Sequence, residues 1–575
     1  MACRRCAGSI QPIAPACVLF YRLKLPYSTH DYDFVDGFYA ADYTRRQLQG
    51  LFLMWVYKEI RTLGDYVSYY GHQADDRPAL VYAGHITSYR ELDVQTARLA
   101  HGLLAAGLSS GDRVVYLGKH SDDFFLALFG TAKSGACFCP LNWRLSEPEL
   151  CRVLSDTDAR LAFVEPEFAT LWAAMIKTTG LDIAMQEVDR ARGEHDPLRR
   201  WLQNFAASDL PPVSMETGAI QLYTSGTTGD PKGVVITHDN FNHMRLCEHF
   251  EPAFAWRPED RFLVALPNFH LLAIGLSLQS MYNGMAVLVE RQFEPGAALQ
   301  SISSLKPSIT AFAPAMIQML LDHPSAASTD FSSLRLVMYA GSPIALGLIK
   351  RALLAMPCEF MQFYGATETS GAVTLLRPTE HNLEREDKLK ACGRPLPLID
   401  LRIVDEAGQD VAAGVPGELW IRSPSLASGY WKKPAVSAEV FAQGWYKSGD
   451  IAIFDEEGLY YIHDRLKDMI VSGGENIYST EIESVLSTHP AVSVVAVIGV
   501  PYARWGEAVK ACVVLKNDAQ VSAEDLLAHC RARLASYKLP KSFEFYPAFP
   551  MTGSGKIAKR ELRAPFWAGQ DRAIG

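Results

Sequence analysis

Apolar positions along this chain recur with two periods. From Tyr89 to Ala106 they fall at helical spacing, and Gly107 follows as a stop signal. Asp112-Arg113-Val114-Val115-Tyr116-Leu117 reads as a buried strand, 124–134 as a helix, and Cys137-Phe138-Cys139-Pro140-Leu141 as the next strand. That alternation predicts a parallel sheet flanked by helices, and it recurs from 220 to 375. Residues 393–465 change character, with short strands such as Gly417-Glu418-Leu419-Trp420-Ile421-Arg422 between turn signals, and predict a small β-rich subdomain. A polar run after Arg465 leads into an α/β unit of about a hundred residues, ordinary domain size. Within it 492–500 and 511–515 read as strands and 523–534 as a helix. The expected class is α/β, with a large N-terminal domain of stacked α/β sheets carrying a small β subdomain and a small α+β C-terminal domain. The expected boundaries are 1–60 for a non-conforming extension, 61–465 for the large domain and 466–575 for the small one. Residues 1–60 are aromatic-rich without a period, and Met54 just precedes the start of the expected fold, so 1–53 is read as an overlong start.

The composition narrows the class. Of 575 residues, 49% are hydrophobic and 21% charged, an ordinary globular mix. The net charge of −9 and the lack of a basic stripe argue against a nucleic-acid partner. No segment reaches the 18 or so apolar residues of a membrane span, which leaves peripheral membrane contact and a homodimer open. The 11 cysteines lack paired metal-ligand spacing and read as buried thiols of a reducing cytoplasm.

Candidate chemistry concentrates in Tyr223-Thr224-Ser225-Gly226-Thr227-Thr228-Gly229-Asp230-Pro231-Lys232-Gly233, followed by the apolar run Val234-Val235-Ile236. Glycines let a backbone approach a polyanion closely. Bare N–H groups and the hydroxyls of Thr224, Ser225, Thr227 and Thr228 can donate to phosphate oxygens, and Lys232 adds a mobile charge. The loop lacks Walker spacing.

This loop resembles the phosphate loop of the adenylate-forming enzymes, among them acyl-CoA synthetases, luciferases and peptide-synthetase adenylation domains. Four later motifs follow in that family's order: Tyr364-Gly365-Ala366-Thr367-Glu368, Gly444-Trp445-Tyr446-Lys447-Ser448-Gly449-Asp450, Asp464-Arg465-Leu466-Lys467-Asp468 with Ser472-Gly473-Gly474-Glu475-Asn476, and Pro550-Met551-Thr552-Gly553-Ser554-Gly555-Lys556. The resemblance spans roughly 62–565 and is most similar to bacterial medium- and long-chain fatty-acyl-CoA synthetases.

The resemblance implies ATP, Mg²⁺ and coenzyme A as cofactors and a small carboxylic acid as substrate. It implies that Lys232 meets the β/γ phosphates, that Glu368 holds the metal with Thr367 near the α-phosphate, and that Asp450 and Arg465 bind ribose. Gly341 lies in a segment, Tyr339–Pro343, that resembles the adenine-pocket wall but carries Ala340 and Ser342 in place of the usual Gly and Ala; Tyr364 can stack on adenine. Lys556 is implied to bridge the carboxylate and the α-phosphate. Lys467 is implied to be the hinge of a mobile C-terminal domain, with Gly473 and Gly474 lining a pantetheine tunnel, Trp505 stacking on the coenzyme A adenine, and Lys538 and Lys541 attracting its phosphates. His270, in Pro267-Asn268-Phe269-His270, is implied to gate the acyl site, with Gly275, Gly341, Gly371, Leu271, Leu272 and Ile274 as walls. Blander readings stand beside these: an acid at a helix start for Glu368, a turn aspartate for Asp450, a surface ion pair for Arg465, a core histidine for His270, an exposed aromatic for Trp505 and a solvated lysine for Lys556. Three other functions stay open on residues alone: an aryl or aryl-propenoate CoA ligase, transfer to a carrier protein, and an idle binding protein on the same fold.

Overall fold

The computed structural model describes residues 59–73, 76–189, 193, 195–225, 231–472, 475–552 and 557–568. It also gives the backbone of two short antiparallel strands, Phe20–Leu23 and Tyr32–Val35, in a separate unit ending at Lys58. The remainder of the N-terminal extension lies outside the described residues.

Two large sheets form the body of the second unit. One has seven strands, ordered Gly429–Tyr430, Pro231–Thr237, Gly218–Ser225, Cys137–Pro140, Arg113–Leu117, Ala159–Val164 and Ala184–Glu187. The other has nine and runs from Arg394–Pro395 through Gly371–Leu376, Glu359–Ala366 and Leu336–Tyr339 to the hairpin Pro78–Tyr82/His85–Ser88. The helix Asp122–Ser134 is buried along its whole length, because it touches strand Cys137–Pro140 of the first sheet and Pro78–Tyr82 of the second. A helix covered on all sides needs apolar residues all round, which Phe124, Phe125, Leu126, Leu128 and Phe129 supply. Its ends are marked in the sequence: the Ser121 hydroxyl accepts from the Phe124 N–H at 3.2 Å, and Gly135 closes the helix in the left-handed region at φ 81°.

A five-stranded antiparallel sheet contains Asp400–Val404, Gly417–Arg422, Trp445–Phe454 and Tyr460–Arg465, the expected β subdomain. A second five-stranded sheet, with Ile470–Ser472, Val492–Tyr502, Gly506–Leu515 and Ser542–Phe545, forms the small α+β C-terminal domain around Ile470, Ile482, Val497, Val509 and Leu526. The elements read from periodicity are present with shifted ends. The helix expected over 89–106 runs Tyr89–Ala105, the one over 523–534 stops at Arg531, and the strand read from 511 starts at Gly506. The last difference arises because Gly506–Leu515 pairs with Val492–Tyr502 along its whole length, and that pairing carries the polar stretch before Ala511 into the ladder.

Candidate active site

Three strand ends converge at the polar centre. Gly218–Ser225 and Pro231–Thr237 form an antiparallel hairpin in which Lys232 lies opposite Thr224. The Thr224 hydroxyl is 3.5 Å from the Lys232 carbonyl. The tip of this hairpin, with Gly226, Thr227, Thr228 and Gly229, lies outside the described residues, as do the side chain of Ser225 and residues Gly473, Gly474 and Lys556.

Next to the hairpin, segment 423–431 ties the phosphate-loop strand to the Thr367–Thr369 turn. The Trp431 N–H donates to the Gly233 carbonyl at 2.7 Å, the Ser428 N–H to Val235 at 3.1 Å, and the Ala427 N–H to the Glu368 carbonyl at 2.9 Å. The Glu368 carboxylate is buried and accepts from the Tyr430 hydroxyl at 2.9 Å. Tyr430 also presents its ring to Lys232, whose Nζ is 5.1 Å from the centroid. Burial, and then the Glu368 charge, raise the Tyr430 phenol well above its ordinary value, so it stays a donor. Thr367–Thr369 is a single 3-10 turn, too short for a helix dipole to explain an acid at this point.

Tyr364 and Gly365 lie near the end of Glu359–Ala366, whose neighbour is Leu336–Tyr339, with Tyr339 opposite Gln362. Gly341 therefore lies beside the Tyr-Gly motif at the carboxyl ends of two parallel strands, where open α/β sheets bind ligands. It is exposed, with φ 93° and open space where a Cβ would point. At Gly365 a Cβ would fall 2.1 Å from the Gly371 carbonyl oxygen, so the Gly371 backbone leaves room for glycine alone.

Asp450 and Arg465 are direct cross-strand partners in the β subdomain. One Asp450 oxygen accepts from Arg465 Nε at 2.6 Å and the other from the Tyr364 hydroxyl at 2.6 Å. The carboxylate side chain is 6% exposed and that of Arg465 50%. The Asp450 charge pushes the guanidinium further above its ordinary range, and burial followed by the same charge raises the Tyr364 phenol. Tyr446 is raised too, by burial and then by Glu368, placing both carboxylates in one cluster of buried tyrosines. The ring of Tyr364, expected to stack, thus has its hydroxyl committed to the predicted ribose acid.

His270 is half-buried at the head of helix Leu271–Tyr282, its ring 4.6 Å from Phe269. Sequence reasoning missed two neighbours: the Trp143 ring is 5.8 Å from Phe269, and the Arg144 guanidinium is 5.0 Å from the Trp143 ring, with burial lowering the Arg144 pKa. Gly275 is open where a Cβ would point, with Leu271 as its nearest neighbour at 3.9 Å, whereas at Gly371 that position meets Met244 at 3.0 Å.

Lys467 sits in the 3-10 turn Leu466–Asp468 between the two last sheets. Arg563 clamps this turn, donating to the Lys467 carbonyl at 3.2 Å and to Asp468 at 3.0 Å. Asp464 reaches the other way and accepts from the Ser479 N–H at 2.6 Å and from its hydroxyl at 2.7 Å. Trp505 lies half-buried in the turn after Val492–Tyr502, with Lys541 4.9 Å and Arg504 5.4 Å from its ring. Lys538 pairs with Glu481 at 2.6 Å.

The profile of the AMP-binding enzyme matches residues 69–431, and that of the AMP-binding enzyme C-terminal domain matches 481–556. The chain belongs to the AMP-binding enzyme family. This AMP-binding enzyme is 38% identical over 520 residues to a fatty acid–[acyl-carrier-protein] ligase, ScoC, of Streptomyces coeruleorubidus, covering 90% of this chain and 98% of the relative. It is 39% identical over 489 residues to a feruloyl-CoA synthase of an Amycolatopsis species, covering 85% and 96%. A crystal structure of ATP-bound MatB from Rhodopseudomonas palustris superposes with a TM-score of 0.79 at 26% identity, covering 88% of this chain and 99% of that one. The enzyme is an adenylate-forming ligase. No helix among its described residues is long and apolar enough to cross a membrane.

The family implies a divalent cation, and the residues fit one. Among the described residues no group of three or more His, Cys, Asp and Glu gathers; the buried Glu368 carboxylate, beside Lys232 and Tyr430, is the candidate ligand. That suits Mg²⁺, which keeps most of its shell for water and substrate phosphates.

Proposed function

We propose that this enzyme activates a medium- or long-chain fatty acid with ATP and passes the acyl group to the thiol of coenzyme A, releasing AMP and pyrophosphate. The observation that carries this reading is the joint hold on Asp450: Arg465 across the ladder and Tyr364, near the carboxyl end of its own strand, fix both oxygens of a buried carboxylate. So fixed, Asp450 can accept from both hydroxyls of a ribose. Lys232 and the phosphate loop neutralise the β and γ phosphates, and bound Mg²⁺, held by Glu368, adds charge stabilisation. Charge dominates this barrier, because the substrate carboxylate must approach the α-phosphorus of another anion. Lys556 bridges these two anions during attack. A turn about Lys467 then brings Trp505 and Lys541 to the coenzyme A nucleotide, while Gly473 and Gly474 pass the pantetheine arm.

The fatty-acid assignment draws on the ScoC likeness and on the aliphatic Leu271 and Ile274 near the open Gly275, since each buried methylene adds about 0.8 kcal/mol. A second reading, an aryl-propenoate substrate, draws on the likeness to feruloyl-CoA synthase and on the edge-to-face Trp143–Phe269 pair near His270. A third, a carrier-protein acceptor, draws on the ScoC name. ATP–pyrophosphate exchange over fatty acids of rising length, ferulate and benzoate tests the substrate. Exchange restricted to ferulate sinks the fatty-acid assignment, and no exchange with any acid sinks the activity. Thioester formation with coenzyme A against a phosphopantetheinylated carrier protein then selects the acceptor.

A further inference from the structure

Tyr430 lies outside the five motifs singled out in the sequence, yet it touches two of the residues they contain. Its hydroxyl donates to Glu368 Oε1 at 2.9 Å, and its ring faces the Lys232 ammonium at 5.1 Å. Its backbone is held independently of both. It pairs with Val234 across the sheet, its N–H donates to Ser437 Oγ at 2.9 Å, and its ring lies 5.7 Å from that of Phe441. The ring is therefore a fixed object against which a flexible lysine and a rotatable carboxylate are both set.

Resting on the proposed activity, we infer that Tyr430 is a positioning residue for the divalent cation. By occupying Oε1 it fixes the Glu368 rotamer and leaves Oε2 as the oxygen that would meet the cation. At the same time its ring face holds the Lys232 ammonium, which forms no direct ion pair with Glu368 among the described residues. A carboxylate so held needs no reorientation when the cation arrives, which is the advantage of pre-organisation.

The test is the affinity for α,β-methylene-ATP, measured by calorimetry once with Mg²⁺ and once with EDTA, and expressed as the ratio of the two. Y430F removes one oxygen and keeps the ring. It is expected to cut the magnesium advantage about tenfold, the size of a lost hydrogen bond to a charged group, while affinity in EDTA holds. p-Aminophenylalanine at the same position, which restores a donor, is expected to recover the advantage. Where Y430F is too unstable to measure, p-methylphenylalanine fills the hydroxyl's space without donating and takes its place. A magnesium advantage unchanged in the non-donating variant overturns the proposal, and so does a loss that is equal with Mg²⁺ and with EDTA. Wild-type protein that binds the nucleotide with no magnesium advantage overturns the positioning role alone. Wild-type protein that binds no nucleotide overturns the adenylation reading itself.

Discussion

Around Asp450 the strong donors are already engaged in fixed directions, whereas around Trp505 two cations lie over a half-buried indole. The first arrangement is built from strand register: Arg465 stands directly across the ladder, and Tyr364 reaches in from a neighbouring sheet. The second is built from long side chains, Arg504 and Lys541, on a turn and a loop. A site of the first kind pays little rotamer entropy on binding. One of the second kind must order its cations when the ligand comes, at about 0.5–1.5 kcal/mol per side chain. The difference matches the proposed roles: a nucleotide gripped through the chemistry, and a carrier that has to leave.

The largest effect is expected at Lys556. K556A should reduce ATP–pyrophosphate exchange by about 10²–10³-fold, the scale of losing a group that stabilises developing charge, and leave thioester formation from supplied acyl-adenylate intact. Equal loss in both steps would contradict the split. K467P, placed in the turn that Arg563 clamps, should spare exchange and slow thioester formation about 10²-fold, since Pro fixes the backbone that must turn; loss of exchange would remove the hinge assignment. D450N leaves Arg465 and Tyr364 without their charged acceptor. It should raise the KM for ATP about 10–100-fold, in line with truncating one partner of a buried charge pair, and an unchanged KM would show that Asp450 is only structural. G365A drives a Cβ to 2.1 Å from the Gly371 oxygen and should destabilise the fold by about 1–3 kcal/mol, read as a lower Tm. W505A, the mildest, should raise the KM for coenzyme A about fivefold through lost stacking, with Tm unmoved. An effect on ATP instead of coenzyme A would erase the contrast between the two sites.

Much of this was legible in the residues. The motifs single out Asp450 and Arg465 separately, but not their pairing: the ladder leaving the Asp455-Glu456-Glu457-Gly458 turn would set Asp450 opposite Asp464, and the irregularity at Ile451/Ala452 moves it to Arg465. The helix over 124–134 was visible in the sequence, and its burial on all sides became apparent only in the structure. Tyr430 was not, since its neighbours across the sheet, Val234 and Val235, lie far away in the chain and the two-residue strand Gly429–Tyr430 has no period to read. Trp143 and Arg144 escaped for a similar reason: what relates them to Phe269 is packing between elements, which leaves no trace in local pattern.

Asp464 and Arg465 are consecutive residues of one strand, and neighbouring strand residues face opposite sides. One of them meets Asp450, the proposed ribose acid, and the other carries two bonds from Ser479 on the first helix of the C-terminal domain. Under the proposed turn about Lys467, both bonds would be exchanged for water at a single buried carboxylate, a difference of about 1–3 kcal/mol. On that proposal a strand end shared in this way would act as a catch, with the nucleotide contact and the latch to the C-terminal domain one residue apart.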